Sequence, residues 1–324
     1  MSRLQIGQLG FMDAAVERRA AARTDALGEV ARLVDWDRFA ALFKGVHTAR
    51  CGEAAFPPLT MFKVLLLQKW HGLSDPQMEA ALADRLSFLR FAGFSLDDRT
   101  PDHATIWRFR DLMGQLGLIG KAMAELDAQL CAAGLAMKAG TLVDASLVTS
   151  AARRPTMKEP RESPGDPEAR FGTTNERGRY AFGYKVHVAV DAATSLVRTA
   201  IVTPANVQDV TVLPRLLDRA TGTLYADRGY DSDGARAEAA ARGLGDGFMR
   251  RRRRGGAALA PEQQARNDAI SLIRRRVEKV FGTMKRIYRL GRMRAHTMQR
   301  NATDIMLFAV AYNLRRWRAI TMAG

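Results

Sequence analysis

TLVDASLV, residues 141–148, is the stretch on which the fold turns, because here the hydrophobic period of the chain changes. On a two-residue repeat Asp144 shares a side with Leu142 and Ser146, while Val143 and Ala145 fall on the other. That alternation belongs to a strand, and strands are depleted of aspartate. A half-buried aspartate at this place is costly unless it is paired or binds a cation. The competing reading is an aspartate hydrogen-bonded at the end of a sheet.

Downstream, YKVHVAVDA (184–192) and SLVRTAIVT (195–203) are predicted strands joined by a turn at 191–194. A helix is predicted over 210–220, with Pro214 confined to its first turns. A strand follows at TLYAD (223–227), then a helix at 234–243, a short strand near 247–251, and helices at 267–289 and 304–320. Three strands followed by α-β-α-β-α give an α/β fold with a mixed sheet and helices on its faces. The segments 152–180 and 250–266 are predicted to be mobile loops that order on DNA.

Upstream, residues 1–120 read as helical. TMFKVLLLQKW (60–70) closes near Gly72, and the next helix starts at SDPQ (74–77), where Ser74 or Asp75 can cap, and runs to Gly93. After a polar turn at 97–102, Asp102 can cap a third helix at 103–113 that carries Thr105, Arg108 and Arg110. Two helices joined by a compact turn resemble a helix-turn-helix, with Arg108 and Arg110 as candidate DNA contacts. The predicted organisation is a helical region at 1–45, a helix-turn-helix domain at 46–120, a connecting helix at 121–138 within a helical stretch read over 118–136, and a catalytic domain at 139–324.

Charge is distributed unevenly. The net charge is +16, and residues 247–324 hold 19 Lys/Arg against 4 Asp/Glu, leaving 31 against 30 for the rest. Such a block points to a polyanion, nucleic acid first. Its arginines alternate with Ile273, Val277, Val280, Phe281, Met284 and Ile287 at helical spacing, which favours a folded helix over a solvated tail. A hydrophobic fraction of 47% excludes disorder as the default. No run approaches the roughly 18 apolar residues of a membrane span. Cys51 and Cys131 fit a reduced compartment, and five histidines without a CxxC pair argue against structural zinc. A cytoplasmic, nucleoid-associated protein is expected.

Two further carboxylates bear on Asp144. Asp227 ends the strand TLYAD, and ligands collect at strand C-termini in α/β sheets. Turn chemistry explains Asp227 equally well, and Asp231 is its rival. Glu278 is the one acid in RRRVEKVFGTMKR (274–286). Arg274 and Lys285 fall on its side of the helix, with Arg275 and Lys279 beside them. A surface ion pair of roughly 0–1 kcal/mol would explain Arg274 but not the rest of the block. Asp144, Asp227 and Glu278 together would make an oxygen-only site suited to Mg²⁺ or Mn²⁺, as a pair of ions serving phosphodiester chemistry.

At these residues the chain resembles the DDE transposases of bacterial insertion sequences, specifically the insertion-sequence-five group (InsH-like proteins). The resemblance runs through FPPLTMFKVLLLQKWHGLSDPQMEAALADRLSFLRFAGF (56–94), TPDHATIWRFRDLM (100–113), LVDASLV, FGYKVHVAVD (182–191), YADRGYDS (225–232) and RRRVEKVFGTMKR. The family's helix signature of Tyr, Arg, Glu and Lys falls on Ser271, Arg274, Glu278 and Lys285, so the tyrosine is replaced. The resemblance implies an RNase H-like catalytic domain in which Asp144, Asp227 and Glu278 hold the metals and Arg274 and Lys285 bind DNA near the transposon end. It also implies recognition of terminal inverted repeats, strand cleavage and strand transfer. The expected partners are double-stranded DNA, as ends and target, and further copies of the chain in a homodimer or higher multimer. The alternatives are a non-catalytic DNA-binding regulator, a nuclease that cuts without joining, a decayed transposase and, last, a basic chaperone or RNA-binding protein.

Overall fold

The computed structural model describes all residues except 1–3, 9, 11–12, 15–24, 47–53, 136–139, 157–162, 164, 175–178, 253–254, 256–257 and 324. Cys51, Arg253, Arg254, the end of the helix predicted over 118–136 and much of the 152–180 segment lie outside the described residues. The chain divides into two units, Met1–Leu130 with Val310–Gly324, and Cys131–Ala309.

The first unit is helical. Its described helices are α1 (Ala26–Leu33), α2 (Trp36–Leu42), α3 (Pro58–His71), α4 (Asp75–Asp84), α5 (Leu86–Ala92), α6 (His103–Gln115) and α7 (Leu118–Ala132, its last residues past the unit's boundary). Local chemistry sets their ends. Gly72 and Gly93 take the left-handed conformation that closes α3 and α5, and Ser74 with Gln77 forms a capping box on α4. The helix expected to run unbroken from 74 to 93 is two helices, since Arg85 adopts an extended backbone between them. Nothing in the local sequence marks that break; it lets Phe88 and Phe91 bury on a different side from Met78 and Leu82. The Phe39 and Phe62 rings stack at 5.7 Å in this core, and the Trp70 indole donates to the Ala311 carbonyl at 2.7 Å.

The second unit is built on one mixed sheet. Its strands are β1 (Thr141–Thr149), β2 (Arg170–Thr173), β3 (Tyr180–Asp191), β4 (Val197–Pro204), β5 (Thr223–Ala226) and β6 (Gly245–Phe248). β1 pairs antiparallel with β3, β3 pairs antiparallel with both β2 and β4, and β1, β5 and β6 run parallel. The helices are α8 (Asp209–Leu216), α9 (Asp233–Ala241), α10 (Pro261–Arg286) and α11 (Met298–Thr321), the last ending in the first unit. Val143, Ala189, Leu213, Ala239 and Phe248 form a common core, which places α8 and α9 over the Val143 side of the sheet. Asp144 points the other way, and there it meets Arg274 of α10. The helices therefore cover both faces.

Three expectations are corrected. β2 lies within the stretch expected to be a loop, held by β3, which begins at Tyr180. α8 ends at Leu216, short of the expected 220, and passes into a 3-10 turn at Leu217–Arg219, while Pro214 sits in its second turn, among the first turns as expected. α10 begins at Pro261 rather than 267, with proline at the first helical position, where its missing N–H costs nothing.

Candidate active site

β1 and β5 run parallel with Thr141 opposite Leu224 and Leu142 opposite Tyr225. Continued by two residues, that register sets Asp144 beside Asp227, and aligned residues of a parallel pair face the same side. Asp227 follows the last residue of β5 and caps the Arg228–Tyr230 turn, its Oδ1 accepting the Gly229 N–H at 2.9 Å. The turn reading of Asp227 is thus correct for one oxygen. Asp231 is committed elsewhere: it takes the Arg236 guanidinium and the Arg251 backbone N–H at 2.6 Å.

Asp144 accepts the Ala145 N–H at 2.9 Å on Oδ1, and its Oδ2 lies 3.1 Å from the Arg274 guanidinium. Burial pushes its carboxyl up to about 6; Arg274 and the Ala145 N–H oppose this, and the charges of Asp227 and Asp209 add to it. A buried carboxylate with carboxylate neighbours favours a second positive charge.

α10 supplies that face, and its three consecutive arginines do different things. Arg274 turns in to Asp144, Arg276 bonds the Ala192 and Ala193 carbonyls at the β3–β4 turn, and Arg275 is exposed. The helix is further fixed by Asn267, fully buried, which accepts the Arg250 N–H at 2.7 Å and donates to its carbonyl at 3.0 Å. Lys279 and Lys285 are exposed.

Glu278 is also exposed, and among the described residues no three His, Cys, Asp or Glu side chains stand close enough to hold a metal. The structure therefore brings together Asp144 and Asp227 without Glu278. The buried stripe of α10 runs through Asn267, Ile270, Arg274, Val277, Val280, Phe281 and Met284, so Arg274 lies on the packed side while Glu278 and Lys285 stand exposed. From that packed side the Arg274 side chain meets Asp144 rather than pairing with Glu278. The shorter glutamate stays in water.

Two residues near the carboxylates were not singled out by sequence reasoning. Tyr230 is fully buried, its hydroxyl has no partner among the described residues, and burial and the charges of Asp209, Asp144 and Asp227 hold its phenol well above the usual value. Asp209 opens α8 and pairs with Lys185 of β3 at 2.8 Å. The place of Asp209 depends on where α8 docks on β3, which no local pattern encodes, whereas Tyr230 ends the turn that Asp227 caps and carried a signal as part of DRGYDS.

In the first unit, Arg110 grips Asp75 through two bonds, at 2.8 and 2.6 Å, and donates to the Gln68 side-chain Oε1 at 2.9 Å. It ties α6 to α3 and α4. Arg108, on the same helix, is exposed beside the half-exposed Trp107.

The donor set fits a hard divalent cation in part: Asp144 and Asp227 supply carboxylate oxygens, and burial already disfavours the bare charge of Asp144. Glu278, the third carboxylate expected from the sequence, is one helical turn past the arginine that neutralises Asp144.

Residues 136–314 match the family model described as Transposase DDE domain, and residues 15–112 match the one described as Transposase domain (DUF772). No solved structure matches the chain. Among the described residues no helix is long and apolar enough to cross a membrane.

Proposed function

The chain belongs to the DDE transposase family, and on that premise we propose that Asp144, Asp227 and Glu278 are its catalytic carboxylates. The family's activity is metal-dependent DNA strand cleavage and strand transfer, so the protein is a transposase acting on DNA. Within the family we assign it to the insertion-sequence-five, InsH-like group, on the motifs at 142–148, 225–232 and 274–286. The antiparallel β1, β3 and β4 followed by parallel β5 and β6 support an RNase H-like catalytic domain at 139–324. The helix pair ending in α6 supports a helix-turn-helix within 46–120, between a helical region at 1–45 and a connecting helix at 121–138.

The observation that carries this reading is the β1–β5 register, which, continued, sets Asp144 within β1 level with Asp227 just past β5, with Arg274 of a cationic helix on Asp144. Asp144 and Asp227 would hold Mg²⁺ or Mn²⁺, as two ions, with Glu278 joining from α10. Ions held there supply activation of the attacking water or 3′-hydroxyl and stabilisation of the leaving oxygen. The chain's own residues prepare for this. Arg274 neutralises Asp144, and the neutral Tyr230 phenol offers a donor near three acids. Arg275, Lys279 and Lys285 leave the same helix into solvent, where they would grip phosphates. On the first unit Arg108 would contact DNA directly, while Arg110 fixes the helix that presents it. The protein would act as a homodimer or higher multimer on transposon ends, in the cytoplasm at the nucleoid.

The test is strand cleavage and joining on labelled DNA carrying the sequences that flank the gene, with Mg²⁺ or Mn²⁺. Wild type should nick at the end and join, only with metal, and Asp227→Asn should do neither while still binding. An Asp227→Asn protein that nicks and joins as wild type does would remove Asp227 from the centre.

A further inference from the structure

A cavity of about 250 Å³ opens in the helical unit between the start of α1, the end of α3, the start of α5 and the last turns of α11. Its floor is aromatic: Trp70 and Phe88 are buried, and the His71 ring lies 4.8 Å from Phe88. Its rim is cationic, with Arg85, Arg315 and Arg318 beside His71.

The two acids nearby are already engaged. Glu29 takes Arg318, and Asp25 takes Arg90 at 2.6 Å while capping α1 through the Gly28 N–H. Arg85 and Arg315 have no carboxylate partner among the described residues. Arg85 lies over the Phe88 ring at 5.0 Å, and Arg315 makes only a long bond, 3.4 Å, to the Trp70 carbonyl. Both act on His71, whose imidazole is held below its usual value by burial and by these two guanidiniums. Like charges around a shallow aromatic floor repel one another and are relieved by an anion. The volume lies below the roughly 300–1,000 Å³ of sites for drug-sized ligands, which suits a single phosphate group. Arginine is the side chain whose planar fork matches phosphate.

We propose that Arg85 and Arg315 clamp one phosphate of the DNA backbone in this basin, which makes the last helix a DNA-binding element of the N-terminal unit. The proposal rests on the transposase reading, because it takes the phosphate to belong to the DNA substrate. It is sequence-independent in character: phosphate contacts fix register and carry no base information.

The test is duplex binding by fluorescence anisotropy across a salt series, for wild type, Arg85→Gln, Arg315→Gln and Arg315→Lys. Both side chains are exposed, so the variants should fold, which circular dichroism checks. Each Gln variant should bind about tenfold more weakly, as expected for a lost charged hydrogen bond. Its plot of log affinity against log salt should be shallower by about 0.9, the value for one phosphate contact. Arg315→Lys should keep the wild-type slope. Wild-type slopes in both Gln variants would overturn the basin, as would inorganic phosphate shifting the His71 NMR signals while duplex affinity ignores both arginines. A wild type that binds no duplex would instead overturn the DNA reading itself.

Discussion

Asp144 shows how one side chain can be legible in sequence while its partner is not. Its place in an apolar strand marked it for a cation, but the cation it meets is the Arg274 guanidinium, with side-chain exposures of 19% and 10%. Removing one partner of such a pair strands a charge in a poorly solvated place. Arg274→Gln should therefore lose about 2–3 kcal/mol in urea unfolding at neutral pH, below the roughly 3–5 kcal/mol of a fully buried pair. A loss under about 0.5 kcal/mol would place the pair among ordinary surface contacts. His187 gives a pH-dependent test on the other face of the sheet. It is fully buried, its Nε2 lies 2.9 Å from Thr203 Oγ1, its Nδ1 is 3.9 Å from Asp209, and Lys185 and Arg215 act on it. Burial first, then Lys185 and Arg215, bring its pKa down to about 3. A histidine depressed in the folded state stabilises fully above its unfolded value near 6.5 and loses that contribution as pH falls toward 3. Between pH 7.5 and 5 wild type should lose about 2 kcal/mol more than His187→Gln, measured by urea unfolding. Equal losses would show that His187 is not held neutral.

At the scale of elements, the two-residue period located β1, β3, β4 and β5, because each carries alternating apolar residues that a sheet must bury. β2 and β6 escaped. RFGT and GDGF have too few apolar residues to show a period, and both are strands only because a neighbour offers its edge. The start of α10 escaped for a similar reason: PEQQARND is polar, so only its docking onto β6 through Arg266 and Asn267 reveals it. The break at Arg85 is purely tertiary. Of the candidate centre, Asp144 and Asp227 were legible from strand pattern and motif, whereas Asp209 reaches them through helix docking and Tyr230 through the turn that Asp227 caps. Glu278 was read as a ligand from its signature, and the structure leaves it in solvent. If Asn267 anchors α10, Asn267→Ala should leave the Arg250 backbone unsatisfied and cost about 1–3 kcal/mol. Hydrogen exchange should then quicken across the first turns of α10 while β1 and β3 stay protected. Unchanged exchange there would mean that Arg266 and Arg276 suffice.

For the whole molecule, the basic excess concentrated in 247–324 is shared by both units, because the last helix ends in the first. Leu314 and Trp317 are buried there, and Ala311 receives the Trp70 indole. Deleting 310–324 should therefore destabilise the helical unit, read as lost hydrogen-exchange protection in α1, α3 and α5. The strands β1, β3 and β5 should keep theirs. Protection retained in all three helices would make the tail dispensable. The central claim is that Asp144, within β1, and Asp227, just past β5, belong to the centre that cuts DNA. The most direct measurement is single-turnover cleavage of labelled end-containing DNA by Asp144→Asn with Mn²⁺, with binding followed in the same samples. The account predicts affinity within about threefold of wild type and cleavage lower by about a thousandfold or more, a loss of at least roughly 4 kcal/mol in the barrier. Cleavage within about tenfold of wild type would contradict it.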